Sequence, residues 1–487
     1  MKKIIIVLVC VSFLTLGLFA ETTADNGNIV EALKKIVKKN NKLKKALNES
    51  LEKAKYRIEG GKECENKKGE LDLSTLPNYI DGKVPGKLGE YYEYVEKTVK
   101  WTPQIDPQNP DKREDYNAIC LFYFLVTQHP DLKPCDTKDC ETYPEFEQWL
   151  KAFANQWGQY LDTCGSINND IIEDFKKAPN YNVEDYIPEP SGWKTFNQFF
   201  ARNIRPGRRP VDSPSDDSVI VSPADSVCQG QWKIDKYLNI VQEEDKKKER
   251  YLNTVLKGEG KKIKPRFKGT CLEVPAVESS PIVKWVLKSP KAKNRRQVKT
   301  AENRLQVKAN KYNIRQLLDN SKYADKFKNG LFMHSFLNTY DYHRFHAPVG
   351  GYVREARTVT DSNTMKTKVV LYVDIINGKF EAADPTGYQF QQARGILIIE
   401  SPLVGLVAVL PIGMAQVSSV TVFAEKGMKI AKGDQFGYFT FGGSDMVILF
   451  QKGVNITAIK NSKYLVGRPI AESDKVIRLE GRKYLKK

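Results

Sequence analysis

The sequence predicts an α+β protein, with a helical N-terminal region followed by a β-rich domain. Three observations carry this. Apolar residues recur at helical spacing over 29–59 and again over 146–161. Apolar runs punctuated by Gly, Pro and Asn fill most of 304–460. A hydrophobic fraction of 41% and 10% aromatics in 487 residues give enough apolar material for two or three domains with a sizeable core.

The chain opens with Lys2 and Lys3, an unbroken apolar run from Ile4 to Ala20, and the polar stretch 21–28. This is the layout of a signal peptide cut after Ala20, or of a signal anchor, since the run sits at the lower edge of a membrane span. The body is therefore expected in the secretory pathway or exported, and membrane-associated. Outside the leader, which holds Cys10, the cysteines are Cys64, Cys120, Cys135, Cys140, Cys164, Cys228 and Cys271. Seven is odd, so at least one is free or pairs with another chain. No second pair matches Cys135 and Cys140, so no metal site is expected.

Residues 29–59 follow as a Lys-rich amphipathic helix with Val30, Leu33, Val37, Leu43, Leu47, Leu51, Ala54 and Ile58 on one face. Seven of the twelve positions 34–45 are Lys. The pattern suits a helix lying on an anionic membrane surface, or a solvated tether. Residues 60–110 read as a connector. From 111 to 184 the chain is helical: Ile119–Val126 is continuously apolar, and Phe146, Trp149, Leu150, Phe153, Trp157, Tyr160 and Leu161 form a core stripe. A second domain is expected over 185–487, interrupted by a basic insertion at 235–303. The formal charge of +18, or +16 without Lys2 and Lys3, favours anionic surfaces. Only basic runs are visible, without interleaved aromatics on a defined fold, so nucleic acid is not expected as a partner.

Three segments carry chemistry. DYHRFHAPVGG at 341–351 holds His343 and His346, two of only four histidines in the chain, and suits proton transfer. SPADS at 222–226 places Asp225 in a Pro-containing turn that could orient an imidazole. FGYFTFGGSDMVILF at 436–450 sets Gly442 and Gly443 before Ser444 inside a strand-like run. Paired glycines admit backbone conformations closed to other residues and clear space around the Gly443 carbonyl, which a serine hydroxyl assisted by a base could attack.

These segments, in this order, resemble the phosphatidylserine decarboxylase family. WKTFNQFFARNIRPGRRPV at 193–211 resembles the family's aromatic-pair and Pro-Gly block. VKANKYNIRQLL at 307–318, VAVLPIGMAQVSSV at 407–420 and GDQFGYFTFGGS at 433–444 extend the resemblance across roughly 185–455. The upstream helical region, with YLDTCGSIN at 160–168, is similar to the branch containing fungal tryptophan decarboxylases.

The resemblance implies a decarboxylase-like catalytic domain at 185–487 and a pyruvoyl cofactor made from Ser444 by self-cleavage between Gly443 and Ser444. It implies that Asp225 orients His346, that His346 acts as base towards Ser444, and that His343 returns a proton to the substrate carbon. The implied substrate is phosphatidylserine, converted to phosphatidylethanolamine and carbon dioxide. An aromatic amino acid is the alternative substrate, and a non-catalytic lipid-binding relative the alternative class. The implied partners are an anionic membrane surface, the large and small pieces of the cut chain, and a second copy as a homodimer. Two positions depart from the family: Asp445 stands where Ser or Thr is usual, and Ser226 where Gly is usual.

Overall fold

The computed structural model describes residues 28–59, 80, 82–109, 112–133, 142–241, 312–360, 372–376, 378–382, 387–414 and 420–474. The leader, most of the basic insertion, and Cys64, Cys135, Cys140 and Cys271 lie outside them. The architecture is α+β, helices first and sheets after. Among the described residues Cys120, Cys164 and Cys228 are free thiols, and no helix is long and apolar enough to cross a membrane.

The Lys-rich segment is two helices, not the single one its periodicity suggested: α1 (Ile29–Lys39) and α2 (Asn41–Ile58). Asn40 makes the break. Its backbone is extended, and its side chain accepts the Leu43 N–H at 3.0 Å, satisfying one of the donors a helix start leaves orphaned. Asn40→Ala is expected to cost about 1 kcal/mol, measured as a lower urea midpoint. The apolar faces of both helices are buried. They pack on α3 (Leu88–Thr98), α4 (Glu114–Val126) and α5 (Pro144–Leu161). That face is core, so only the lysines opposite it remain for any anionic surface.

Helix α3 falls inside the expected connector. Tyr91, Tyr94 and Val95, at i, i+3 and i+4, are buried, and they anchor it. Helix α4 is buried on every side, as its continuous apolar run requires. Ser50 donates to the Leu125 carbonyl at 2.8 Å and accepts the Gln128 N–H at 2.9 Å, fastening α2 to the end of α4. On α5, Trp149 and Trp157 donate their indole N–H groups to the Ile29 and Trp101 carbonyls, each at 2.8 Å. Helix α6 (Asn169–Lys177) leads into the β-rich half.

The main sheet is antiparallel, with strands in the spatial order Lys429–Ile430, Gly351–Val359, Ala393–Ser401, Gly405–Met414, Gly443–Phe450, Leu331–Leu337, Ser226–Ile234 and Lys463–Tyr464. Its central strands are covered on both faces, which is why GILIIES and MVILF read as continuous apolar runs. A second sheet joins Val420–Val422, Gln435–Phe439 and Arg344–His346. A third joins Val454–Ile456, Pro469–Ser473 and Val219–Val221. The chain beyond Gly443 is thus woven into two sheets whose other strands come from the rest of the molecule.

Candidate active site

Ser444 enters the middle of the main sheet, in register with Gly413 on one side and Leu337 on the other. It is fully buried. Gly442 precedes it with φ +153°, a conformation that side chains disfavour. The Phe441 N–H is held by the Asn197 side chain at 3.0 Å, and Asn197 in turn donates to Asp162 at 2.9 Å, so the turn before Ser444 is tied to the end of α5. Trp157 packs edge-on against Phe441 from the same helix.

His343 is the imidazole at Ser444. The Ser444 Oγ lies 3.4 Å from His343 Nδ1. The other ring nitrogen, Nε2, faces the Thr339 carbonyl at 3.2 Å. A carbonyl only accepts, so Nε2 carries the hydrogen and Nδ1 presents a lone pair to the serine hydroxyl. Phe200 stacks on the ring with centroids 3.8 Å apart and fixes its plane. Burial lowers the His343 pKa to about 3, and the neighbouring Arg202 charge acts in the same direction. Arg202, itself buried, donates to the Tyr340 carbonyl at 2.9 Å and lies over the Tyr186 ring. The imidazole at the serine is therefore neutral at ordinary pH, the form a base requires.

The expected hydrogen-bonded chain Asp225–His346–Ser444 is not the arrangement found. His346 donates from Nδ1 to the Gly433 carbonyl at 2.7 Å, and its Nε2 stands 3.1 Å from the Tyr342 hydroxyl. Positions three apart in an extended segment point to opposite faces, so when His343 meets Ser444 the His346 ring turns away. Asp225 is gripped by Arg209, whose Nε lies 3.0 and 2.9 Å from the two carboxylate oxygens and whose Nη2 lies 2.6 Å from Oδ2. Asp225 Oδ1 also accepts the Val466 N–H at 2.8 Å. Burial lowers the His346 pKa, against the Gly433 hydrogen bond and the attraction of Asp225. Asp225 thus acts on His346 through charge, not contact.

Asp225 and Arg209 line a polar cavity of about 180 Å³ with Asp185, Tyr340, Asp341 and Lys463. Lys463 lies 2.6 Å from Asp341. Burial raises the Asp341 pKa against the pull of that lysine.

Asp445, one of the two departures from the family, faces away from the Ser444 side of the strand. Strand alternation puts it on the face of Val447, whose partner across the sheet is His334. His334 Nε2 stands 3.0 Å from Asp445 Oδ2, both side chains being buried. Ser226, the other departure, is buried and donates to the Ala224 carbonyl at 3.3 Å.

Sequence reasoning missed Phe200, Arg202, Arg209, Asn197 and Thr339. The first four lie in the aromatic and Pro-Gly block already noticed at 193–211, which was the available signal.

Histidines kept neutral by burial make the fold acid-labile. The His343 pKa is about 3 when folded against an ordinary 6.5. Above pH 6.5 neither state takes the proton. As pH falls from 6.5 towards 3 the unfolded chain takes it and the folded chain does not, so stability is lost progressively in that window. His346 adds with the same sign. Urea midpoints of an uncut Ser444→Ala chain are expected to drop between pH 7 and 4.5, and less steeply when His343 is also changed to Gln.

The residues present fit a pyruvoyl precursor: a serine after two glycines, buried, with an unprotonated nitrogen against its hydroxyl. Comparison with known proteins points the same way. The chain is 24% identical over 370 residues to Decarboxylase iboD of Amanita muscaria, covering 70% of this chain and 85% of that one. It is 24% identical to phosphatidylserine decarboxylase proenzyme 3 of Schizosaccharomyces pombe, covering 64% of this chain but only 25% of that much longer protein. It is 29% identical to the L-tryptophan decarboxylase of Psilocybe cubensis over 30% of this chain and 34% of that one. The phosphatidylserine decarboxylase family profile matches residues 196–272 and 294–472, more than half of the chain, a span that includes Asp225, His343, His346 and Ser444. The chain belongs to the phosphatidylserine decarboxylase family, whose members are in general pyruvoyl-dependent.

Proposed function

We propose that the chain cuts itself between Gly443 and Ser444 and then decarboxylates phosphatidylserine to phosphatidylethanolamine. The observation that carries this is the contact between the buried Ser444 hydroxyl and the unprotonated Nδ1 of His343. His343 takes the hydroxyl proton, and Ser444 Oγ attacks the Gly443 carbonyl. The peptide bond becomes an ester. Elimination releases the Gly443 carboxylate and leaves dehydroalanine at 444, which water converts to a pyruvoyl group with loss of ammonia. The relatives named proenzymes support such a cut. The pyruvoyl ketone supplies an electron sink for the carbon that loses carbon dioxide.

After cutting, the two pieces stay together through the shared sheets and through ties such as Asp225 to the Val466 N–H and Asp341 to Lys463. The leader-like run and the exposed lysines of α1 and α2 support work at an anionic membrane of the secretory pathway. A free aromatic amino acid is the second reading, supported by the match to the L-tryptophan decarboxylase.

The test offers the processed protein phosphatidylserine in vesicles and, separately, free tryptophan, tyrosine and serine, and measures released carbon dioxide. Release from the vesicles is the expected result. Release from tryptophan or tyrosine alone would transfer the activity to amino acids. Binding to vesicles without release from any of them would make the chain a lipid-binding relative.

A further inference from the structure

We propose that Asp162, at the C-terminal end of helix α5 and outside the family-matched segment, is a positioning residue for self-cleavage. It acts through the Asn197 amide on the turn before Ser444. The proposal rests on reading Ser444 as the processing serine and adds to it a requirement for the N-terminal helices.

Attack on the Gly443 carbonyl needs that carbonyl held beside the Ser444 hydroxyl. On the C-terminal side the sheet does this, since Ser444 is in register with Gly413 and Leu337. On the N-terminal side stand Gly442 and Gly443, the residue type with the most backbone freedom to lose. Phe441 comes just before them and is anchored twice. Its ring packs edge-on against Trp157, Phe196 and Phe200, with centroids 5.6, 5.3 and 5.3 Å away. Its N–H donates to Asn197 Oδ1 at 3.0 Å.

Asn197 is buried, on the short helix Phe196–Phe200. An amide side chain fits its place in two orientations, oxygen and nitrogen exchanged, and its neighbours decide between them. Asn197 Nδ2 donates to Asp162 Oδ1 at 2.9 Å and to the Gly158 carbonyl at 3.4 Å. Both of these oxygens accept, so they turn the NH₂ group towards α5 and leave the amide oxygen for the Phe441 N–H. The bond to Asp162 is the shorter one, and a carboxylate acceptor makes it the stronger. Helix stability does not account for an aspartate here. Asp162 caps the C-terminus of α5, where the helix dipole disfavours a negative charge. Nor does packing, since Asp162 is exposed. Its bond to Asn197 does: the carboxylate sets the amide, and the amide sets the turn.

The experiment follows cleavage of freshly made chain with time. Asp162→Ala is expected to cut about tenfold more slowly, the weight of one hydrogen bond to a charged group. Asn197→Asp, which sets two carboxylates against each other, is expected to be at least as slow. Adding Asp162→Asn to it swaps amide and carboxylate, remakes the bond with donor and acceptor reversed, and is expected to recover most of the rate. Two readouts in the uncut Ser444→Ala background separate positioning from stability. The urea midpoint is expected to be no lower with Asp162→Ala, since a negative charge leaves the C-terminus of a helix. The Phe441 amide is expected to exchange its hydrogen with solvent about tenfold faster in the same variant. A wild-type cleavage rate in Asp162→Ala, a urea midpoint that falls in step with the rate, or a swapped pair no faster than Asn197→Asp alone would overturn the proposal. A parent chain that never cuts would refute the Ser444 reading instead, and hydrogen exchange at Phe441 would still decide whether Asp162 holds the turn.

Discussion

His343→Ala is expected to leave the chain uncut between Gly443 and Ser444 on the time scale in which the parent is fully processed. The argument is geometric. The Ser444 hydroxyl is buried, and its partner is the bare Nδ1 of His343. Removing a positioned base typically costs about 10²–10⁴-fold in rate. His346→Ala, by contrast, is expected to be cut, because that ring is engaged by the Gly433 carbonyl and the Tyr342 hydroxyl. A gel time course of the two variants separates the alternatives. An uncut His346→Ala beside a normally cut His343→Ala would restore the Asp225–His346–Ser444 relay that the resemblance implied.

Arg209→Met is expected to be the most destabilising single change near the site. Asp225 is 2% exposed, and the Arg209 side chain is 9% exposed. Burial works against the arginine charge, but the hydrogen bonds and charge of Asp225 outweigh it and raise the Arg209 pKa. Removing one partner of such a pair strands the other charge in the interior, at about 3–5 kcal/mol. Only the Val466 N–H among the Asp225 contacts given above would remain. Urea unfolding of the uncut Ser444→Ala chain measures the loss. Changing Asp225 to Asn in the Arg209→Met chain is expected to return part of it, since no charge is then stranded. A loss below 1 kcal/mol would mean that Asp225 reaches solvent through the polar cavity more freely than its burial indicates.

The α+β layout was legible because helices α4 and α5 and the central strands carry clean apolar patterns. Helix α3 was not, because Tyr91, Tyr94 and Val95 are set among Glu and Lys in a segment that begins with Gly and Pro. The break at Asn40 was hidden by an apolar spacing that runs on across it. At the site, Ser444 and the two histidines were visible as residue types in short motifs. Which histidine meets the serine was not, because that depends on the extended conformation of 344–346 and on Phe200, brought in from a distant part of the chain. Asp445 shows the same limit. Its neighbour in sequence is Ser444, but a strand sends adjacent side chains to opposite faces, and its partner His334 comes from the next strand.

Intact mass of the purified protein and of its fragments tests the central claim most directly. Two fragments are expected, one ending at Gly443 and one comprising residues 444–487 with a pyruvoyl group in place of Ser444, and Ser444→Ala is expected to give a single chain. A single uncut chain in a wild-type preparation that releases carbon dioxide from its substrate would contradict the account.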